Sequence, residues 1–161
     1  MGNRKKFGLL LAAVLLFGAF FKMPVAAEAQ SADPNIQVVK IRTNKKVQKV
    51  GKNLKIQLKF KSDIRLKKVK LNYAGSGFRT YTVKMKAVNK EKTTWRGVLP
   101  LKKDQMKKGP LGIERIYITG RNNRGKKVKC EVRNNQWATE GYGLEYEIGQ
   151  DLSAGNVKIV F

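Results

Sequence analysis

The residues best placed to do chemistry are two carboxylates, Glu145 and Glu147, near the end of the 161-residue chain. Alternate residues of a strand share a face, so this spacing predicts two acids side by side. Around them stand Trp137, Tyr142 and Tyr146, interleaved with Gly141 and Gly143. Three functional readings follow: an acid pair for glycoside hydrolysis, a calcium site, and an aromatic platform for stacking sugar rings. A pair of acids with no further support is a poor glycosidase signature. Calcium takes about six to eight oxygen ligands, and no D-x-[DN]-x-[DN] run is present. A fourth reading needs no ligand: an acidic strand or hairpin packs beside basic ones, with the aromatics partly in the core. Trp137, Tyr142, Tyr146, Glu145 and Glu147 stand as candidate ligand or partner contacts.

Other chemistry is excluded by composition. There is no histidine, so neither a Ser-His-Asp nor a Cys-His triad can form, and no His-ligated zinc or haem site is available. The one cysteine, Cys130, rules out an intrachain disulfide and a CxxC motif. Ser31, Ser62, Ser76 and Ser153 lack a histidine base and a G-x-S-x-G elbow. Ala74-Gly75-Ser76-Gly77 lacks the Lys-Ser/Thr ending of a phosphate-binding loop and reads as a turn. The expectation is a protein that is not an enzyme, with no cofactor and no metal.

What remains is charge. Lys and Arg number 35 against 11 Asp and Glu, a formal net charge of +24. Between Lys40 and Lys70 lie 13 basic residues and a single acid, Asp63. Smaller clusters are Lys102-Lys103, Lys107-Lys108 and Arg121 to Lys129. Alternating lysines also keep strand edges soluble, but mixed charge serves that purpose equally well. The excess therefore points to an anionic partner. The polyanion-binding candidates are Lys45, Lys46, Lys49, Lys52, Lys55, Lys59, Lys61, Lys67, Lys68 and Lys70. Lysine, a hydrated point charge, outnumbers arginine 26 to 9. Diffuse attraction is expected instead of one carved pocket.

The elements that must carry these residues begin after an address. Arg4, Lys5 and Lys6 precede an uncharged apolar run from Phe7 to Phe21, and Ala27 and Ala29 have the A-x-A spacing of a cleavage site. Residues 1–29 read as a cleaved secretory signal peptide, since the run is shorter than the roughly 20 residues of a membrane span. No lipobox cysteine follows it, and the ending Val157-Lys158-Ile159-Val160-Phe161 carries no sorting motif. Residues 30–161 are expected to form one domain, free or held non-covalently.

Within it, apolar and polar residues alternate repeatedly, which is the signature of half-buried strands. Leu54, Ile56, Leu58 and Phe60 alternate with Lys55, Gln57, Lys59 and Lys61. Lys68 to Tyr73, Tyr81 to Ala87, Trp95 to Leu101, Ile113 to Thr119 and Val128 to Val132 repeat the pattern. Ile36 to Arg42 opens the domain and Val157 to Phe161 closes it. Gly- and Asn-bearing turns separate the runs. By parity Cys130 faces inward as a buried thiol. About eight short strands predict an all-β, two-sheet sandwich.

The order of these segments resembles bacterial immunoglobulin-like modules of secreted and cell-surface proteins. The resemblance is carried by "DIRLKKVKLNY", "TTWRGVLPL", "GPLGIERIYITGRNNRG" and "DLSAGNVKIVF" and covers roughly residues 36–161. It implies a single Ig-like β-sandwich and leaves function open. Residues 135–156 form an insert before the last strand that the usual short modules lack. The expected role is a secreted, non-catalytic protein, possessing no dedicated nucleic-acid motif and no mature transmembrane span. Its expected partners are anionic polymers such as teichoic acid of a Gram-positive cell wall, with extracellular DNA and anionic lipid as further candidates. A cationic antibacterial or membrane-active effector is the alternative, against which stands the lack of an amphipathic cationic helix.

Overall fold

The computed structural model describes residues 33–76, 79–136 and 144–161. The signal-peptide reading of residues 1–29, and Trp137 and Tyr142, lie outside the described residues.

The described residues from Asp33 to Phe161 are all-β apart from one 3-10 turn and form a two-sheet sandwich. Its strands follow the alternation of the sequence. In β3 (Asn53–Ser62), Leu54, Ile56, Leu58 and Phe60 are buried while Lys55, Lys59 and Lys61 are exposed. Burying each such apolar side chain contributes roughly 1.5–3 kcal/mol. Sheet I adds β1 (Ile36–Thr43), β7 (Thr94–Pro100) and β6 (Lys86–Ala87), in the order β1-β3-β7-β6, with all neighbours antiparallel.

Sheet II is built around the longest strand, β8 (Gly109–Arg121). On one edge β8 pairs along its length with β4 (Arg65–Gly75), which in turn pairs with β5 (Arg79–Lys84). The other edge is shared. β9 (Lys127–Asn134) takes Arg115 to Arg121, and β11 (Val157–Val160) takes Gly109 to Leu111. β2 (Val47–Lys49) lies parallel to β11. Between β9 and β11 the chain forms β10 (Tyr146–Gln150), parallel to β9, and a 3-10 turn at Ser153–Gly155. Asn134, fully buried, fills the gap on β8 by donating from Nδ2 to the Ile113 carbonyl at 2.8 Å.

Two devices join the sheets. The run from Arg79 to Ala87 changes sheet at Met85, whose N–H donates to the Val69 carbonyl of β4 at 3.0 Å before Lys86 and Ala87 pair with β7. At the opposite seam, the Gln150 side chain of β10 acts as a strand fragment against β1. Its Nε2 donates to the Val38 carbonyl at 2.8 Å and its Oε1 accepts from the Val38 N–H at 3.0 Å.

The described residues contain eleven strands where the sequence predicts about eight. The additional ones arise because the Tyr81–Ala87 run divides between sheets, a short β2 follows β1, and β10 forms in the segment before the last strand. The interior holds Tyr73, Trp95, Ile113, Ile116 and Val132 among others, and Cys130 is buried as a free thiol. A bulge at Glu114 lets both Ile113 and Ile116 face inward despite their odd spacing.

Candidate polyanion-binding surfaces

Strand pairing assembles a basic sheet face from residues that are scattered in the sequence. On the outer face of sheet I, the register places Lys40 opposite Lys59, and Arg42 opposite Gln57, which is itself opposite Arg96. Lys86 extends that second rung beyond Arg96, while Lys55 and Lys61 complete β3. All seven basic side chains are exposed. None of the four strands carries an Asp or Glu. The face carries a depression of about 290 Å³ beside Arg42, Gln57 and Arg96. There the Arg96 Nε donates to the Gln57 Oε1 at 3.0 Å, which orients the guanidinium.

The outer face of sheet II is divided. At one end Arg65, Arg121 and Lys127 form a rung across β4, β8 and β9, and Lys68, Thr119 and Lys129 form the next. Lys67 joins them around a recess of about 430 Å³. Like-charge crowding holds the exposed Lys67 ammonium below its ordinary pKa, with Arg65 the largest cause, then Lys92, lost hydration and Arg121. Arg121 Nη1 donates to the Gly125 carbonyl at 2.7 Å, which anchors it to the β8–β9 turn. Toward the middle of the sheet the chemistry reverses. Glu131 is fully buried on this outer face and pairs with Arg115, which also contacts Glu114 at 3.2 Å. Parity alone gives no sign of that burial.

No family model and no curated protein matches this chain. Among solved structures, it is similar to Cwp6 from Clostridium difficile, at 18% identity and a TM-score of 0.49, over 81% of this chain and 17% of that one. It is also similar to a DUF4785 family protein from Legionella pneumophila, at 10% identity and a TM-score of 0.38, over 74% of this chain and 30% of that one. The chain thus spans less than a third of the length of either.

The ten lysines singled out in the sequence occupy three places. Lys55, Lys59 and Lys61 lie on the face of sheet I, and Lys67, Lys68 and Lys70 on β4 of sheet II. Lys45, Lys46, Lys49 and Lys52 line the connection around β2. Lys46 has a structural partner: its Nζ donates to the carbonyls of Ala154 and Asn156, tying this connection to the 3-10 turn. Lys40, Arg42, Lys86 and Arg96 complete the sheet I face, and Arg65, Arg121, Lys127 and Lys129 the sheet II rungs. Arg121, Lys127 and Lys129 were visible as the Arg121–Lys129 cluster. Lys86 and Arg96 carry no local signal, because only the β6–β7 pairing brings them together.

The acidic segment keeps its predicted parity. Glu145, just before β10, and Glu147 within it are exposed, while Tyr146 and Ile148 pack against the core. Glu145 lies 3.9 Å from Lys126. The Tyr146 hydroxyl is shifted above its ordinary pKa, first by lost hydration and then by the hydrogen bond and charge of Glu145. Among the described residues no three acidic or thiol side chains gather into a metal-sized cluster. Burial pushes the Cys130 thiol up to about 11, with Glu145 and Asp63 adding to the shift, which leaves it protonated and a poor nucleophile.

Proposed function

We propose that this protein is a secreted, non-catalytic binding module that attaches electrostatically to anionic polymers of the cell envelope or extracellular matrix. The observation that carries the proposal is the outer face of sheet I: seven exposed cations and no carboxylate on any of its strands. Like charges directly opposite one another, as at Lys40 and Lys59, destabilise a sheet. A polyanion lying on the face relieves that repulsion. The predominance of lysine suits attraction that depends on charge density more than on ligand shape.

The module is proposed to be immunoglobulin-like. In support, the order β1-β3-β7-β6 facing β5-β4-β8-β9 has the A-B-E-D and C′-C-F-G arrangement of such sandwiches. β9 and β11, which share one edge of β8, take the place of a single last strand.

Cosedimentation of the purified chain with teichoic acid, beside a neutral polysaccharide, tests the function. The expected result is capture by the anionic polymer alone, falling steeply between low and high salt. Equal capture by both polymers, or capture that salt leaves unchanged, contradicts it.

A second reading, a cationic effector acting on anionic membranes, draws on Val39, Val88 and Val98, which are 47%, 46% and 49% exposed on the strands of sheet I or next to them. Dye release from anionic vesicles at high protein-to-lipid ratio supports that reading, and intact vesicles eliminate it.

A further inference from the structure

The basic end of sheet II holds larger recesses than the face of sheet I, about 430 and 490 Å³ against about 290 Å³. Thr119 of β8 lies between Lys68 of β4 and Lys129 of β9, and Tyr117, two residues before it, lies between Lys70 of β4 and Glu131 of β9. Lys68 and Lys70 of β4 form one wall, and Lys127 and Lys129 of β9 the other. The recess near Lys67 and Arg121 runs into a trough of about 490 Å³ that shares Lys68 and Thr119 with it and is bordered by Leu144. The walls stand two strand spacings apart, about 9.5 Å at the backbone. Successive lysines along a wall are about 6.8 Å apart, the distance between alternate residues of a strand. The channel meets Glu131 at the Tyr117 rung, where that buried carboxylate pairs with Arg115, a guanidinium it shares with Glu114.

We infer that this channel along β8, walled by Lys68 and Lys70 and by Lys127 and Lys129, is a binding site for a single extended chain of a sugar-alcohol phosphodiester polymer. The inference rests on the polyanion-binding function proposed above and adds to the sheet I face a second, narrower site. A flexible chain with one charge per short repeat can lie between the walls and meet ammonium groups on both sides. A double helix is too broad to reach the floor. Single-stranded nucleic acid is the less suitable occupant, because its recognition uses several stacking aromatics, whereas among the described residues lining the channel Tyr117 is the one aromatic.

The test compares three forms of the full chain: the native protein, Lys68→Gln with Lys129→Gln in the channel, and Lys59→Gln with Arg96→Gln on sheet I. Each is titrated by fluorescence anisotropy with labelled poly(glycerol phosphate), single-stranded DNA and duplex DNA at several salt concentrations, and thermal melts verify folding. For poly(glycerol phosphate), the channel variant is expected to lower the slope of log K against log[salt] by about 1.4, at about 0.7 per lost contact with a single chain. Its slope for duplex DNA is expected to stay native. An unchanged poly(glycerol phosphate) slope, with loss confined to the sheet I variant, overturns the channel and leaves the broader function standing. An equal loss for duplex DNA overturns the single-chain assignment, and single-stranded DNA bound as tightly as poly(glycerol phosphate) overturns the ligand class. Native protein that binds none of the three overturns the function and the channel together.

Discussion

The two outer faces of the sandwich use the same strand alternation and the same abundant lysine to different ends. On sheet I every outward charge is positive, and opposed cations such as Lys40 and Lys59 are left to solvent. Sheet II places cations at one end but buries Arg115 and Glu131 near its middle and lines its far edge with the acidic β10. One face thus sacrifices a little stability for charge density. The other contains a buried pair, and losing one partner alone endangers the fold. Substitutions that look equivalent by residue type therefore have opposite consequences on the two sides.

The largest effect separates them most sharply. Glu131→Ala leaves the Arg115 guanidinium buried beside an empty position and is expected to cost about 3–5 kcal/mol, read by urea denaturation. A change under 1 kcal/mol would remove the contrast between the faces. Next is Gly120→Ala in β8. An added Cβ would lie 2.9 Å from the Arg65 carbonyl oxygen and 2.7 Å from the Ile64 Cδ1. Crowding of this kind costs about 1–3 kcal/mol, and thermal melts should show it with the salt dependence of polymer binding unaltered.

On sheet I the sign reverses. Lys59→Thr relieves the repulsion with Lys40 and is expected to raise stability by about 0.2–1 kcal/mol while weakening polyanion capture. Denaturation and cosedimentation on the same variant check both halves. The last effect lies beneath sheet II and shows only at alkaline pH. The Cys130 thiol rises from its ordinary 9.0 to about 11 in the folded protein. Between those values the unfolded chain binds fewer protons than the folded one, so stability falls as pH rises from about 9 to about 11. Below that window the contribution is complete. Denaturation at a series of alkaline pH values should follow this decline, and a thiol reagent at pH 8 should leave the native protein unmodified.

Much of the fold was legible because alternation records which side of a strand faces the core. Leu54 to Lys61 states its own burial, and the positions of Cys130, Tyr146 and Glu147 follow from parity. Register is a different kind of information. That Lys59 opposes Lys40, or that Lys86 reaches Arg96, depends on how distant strands align, and no local pattern encodes it. The switch of sheets at Met85 is equally hidden, since Tyr81, Val83, Met85 and Ala87 alternate without interruption. Parity also misleads where an outward face is covered, as with Glu131. A lysine count cannot tell Lys46, bound to backbone carbonyls, from Lys59, which faces solvent. The candidate site was therefore visible as a composition and became a pair of surfaces only through strand pairing.

The central claim is that the outer face of sheet I holds polyanions through its uncompensated charge. The most direct test is the salt dependence of teichoic acid binding by the native chain and by a variant with Lys40, Lys59 and Arg96 all changed to Gln. Three lost contacts with a single-chain polymer should lower the slope of log K against log[salt] by about 2, with the folded state retained or slightly stabilised. A variant that keeps the native slope would contradict the claim.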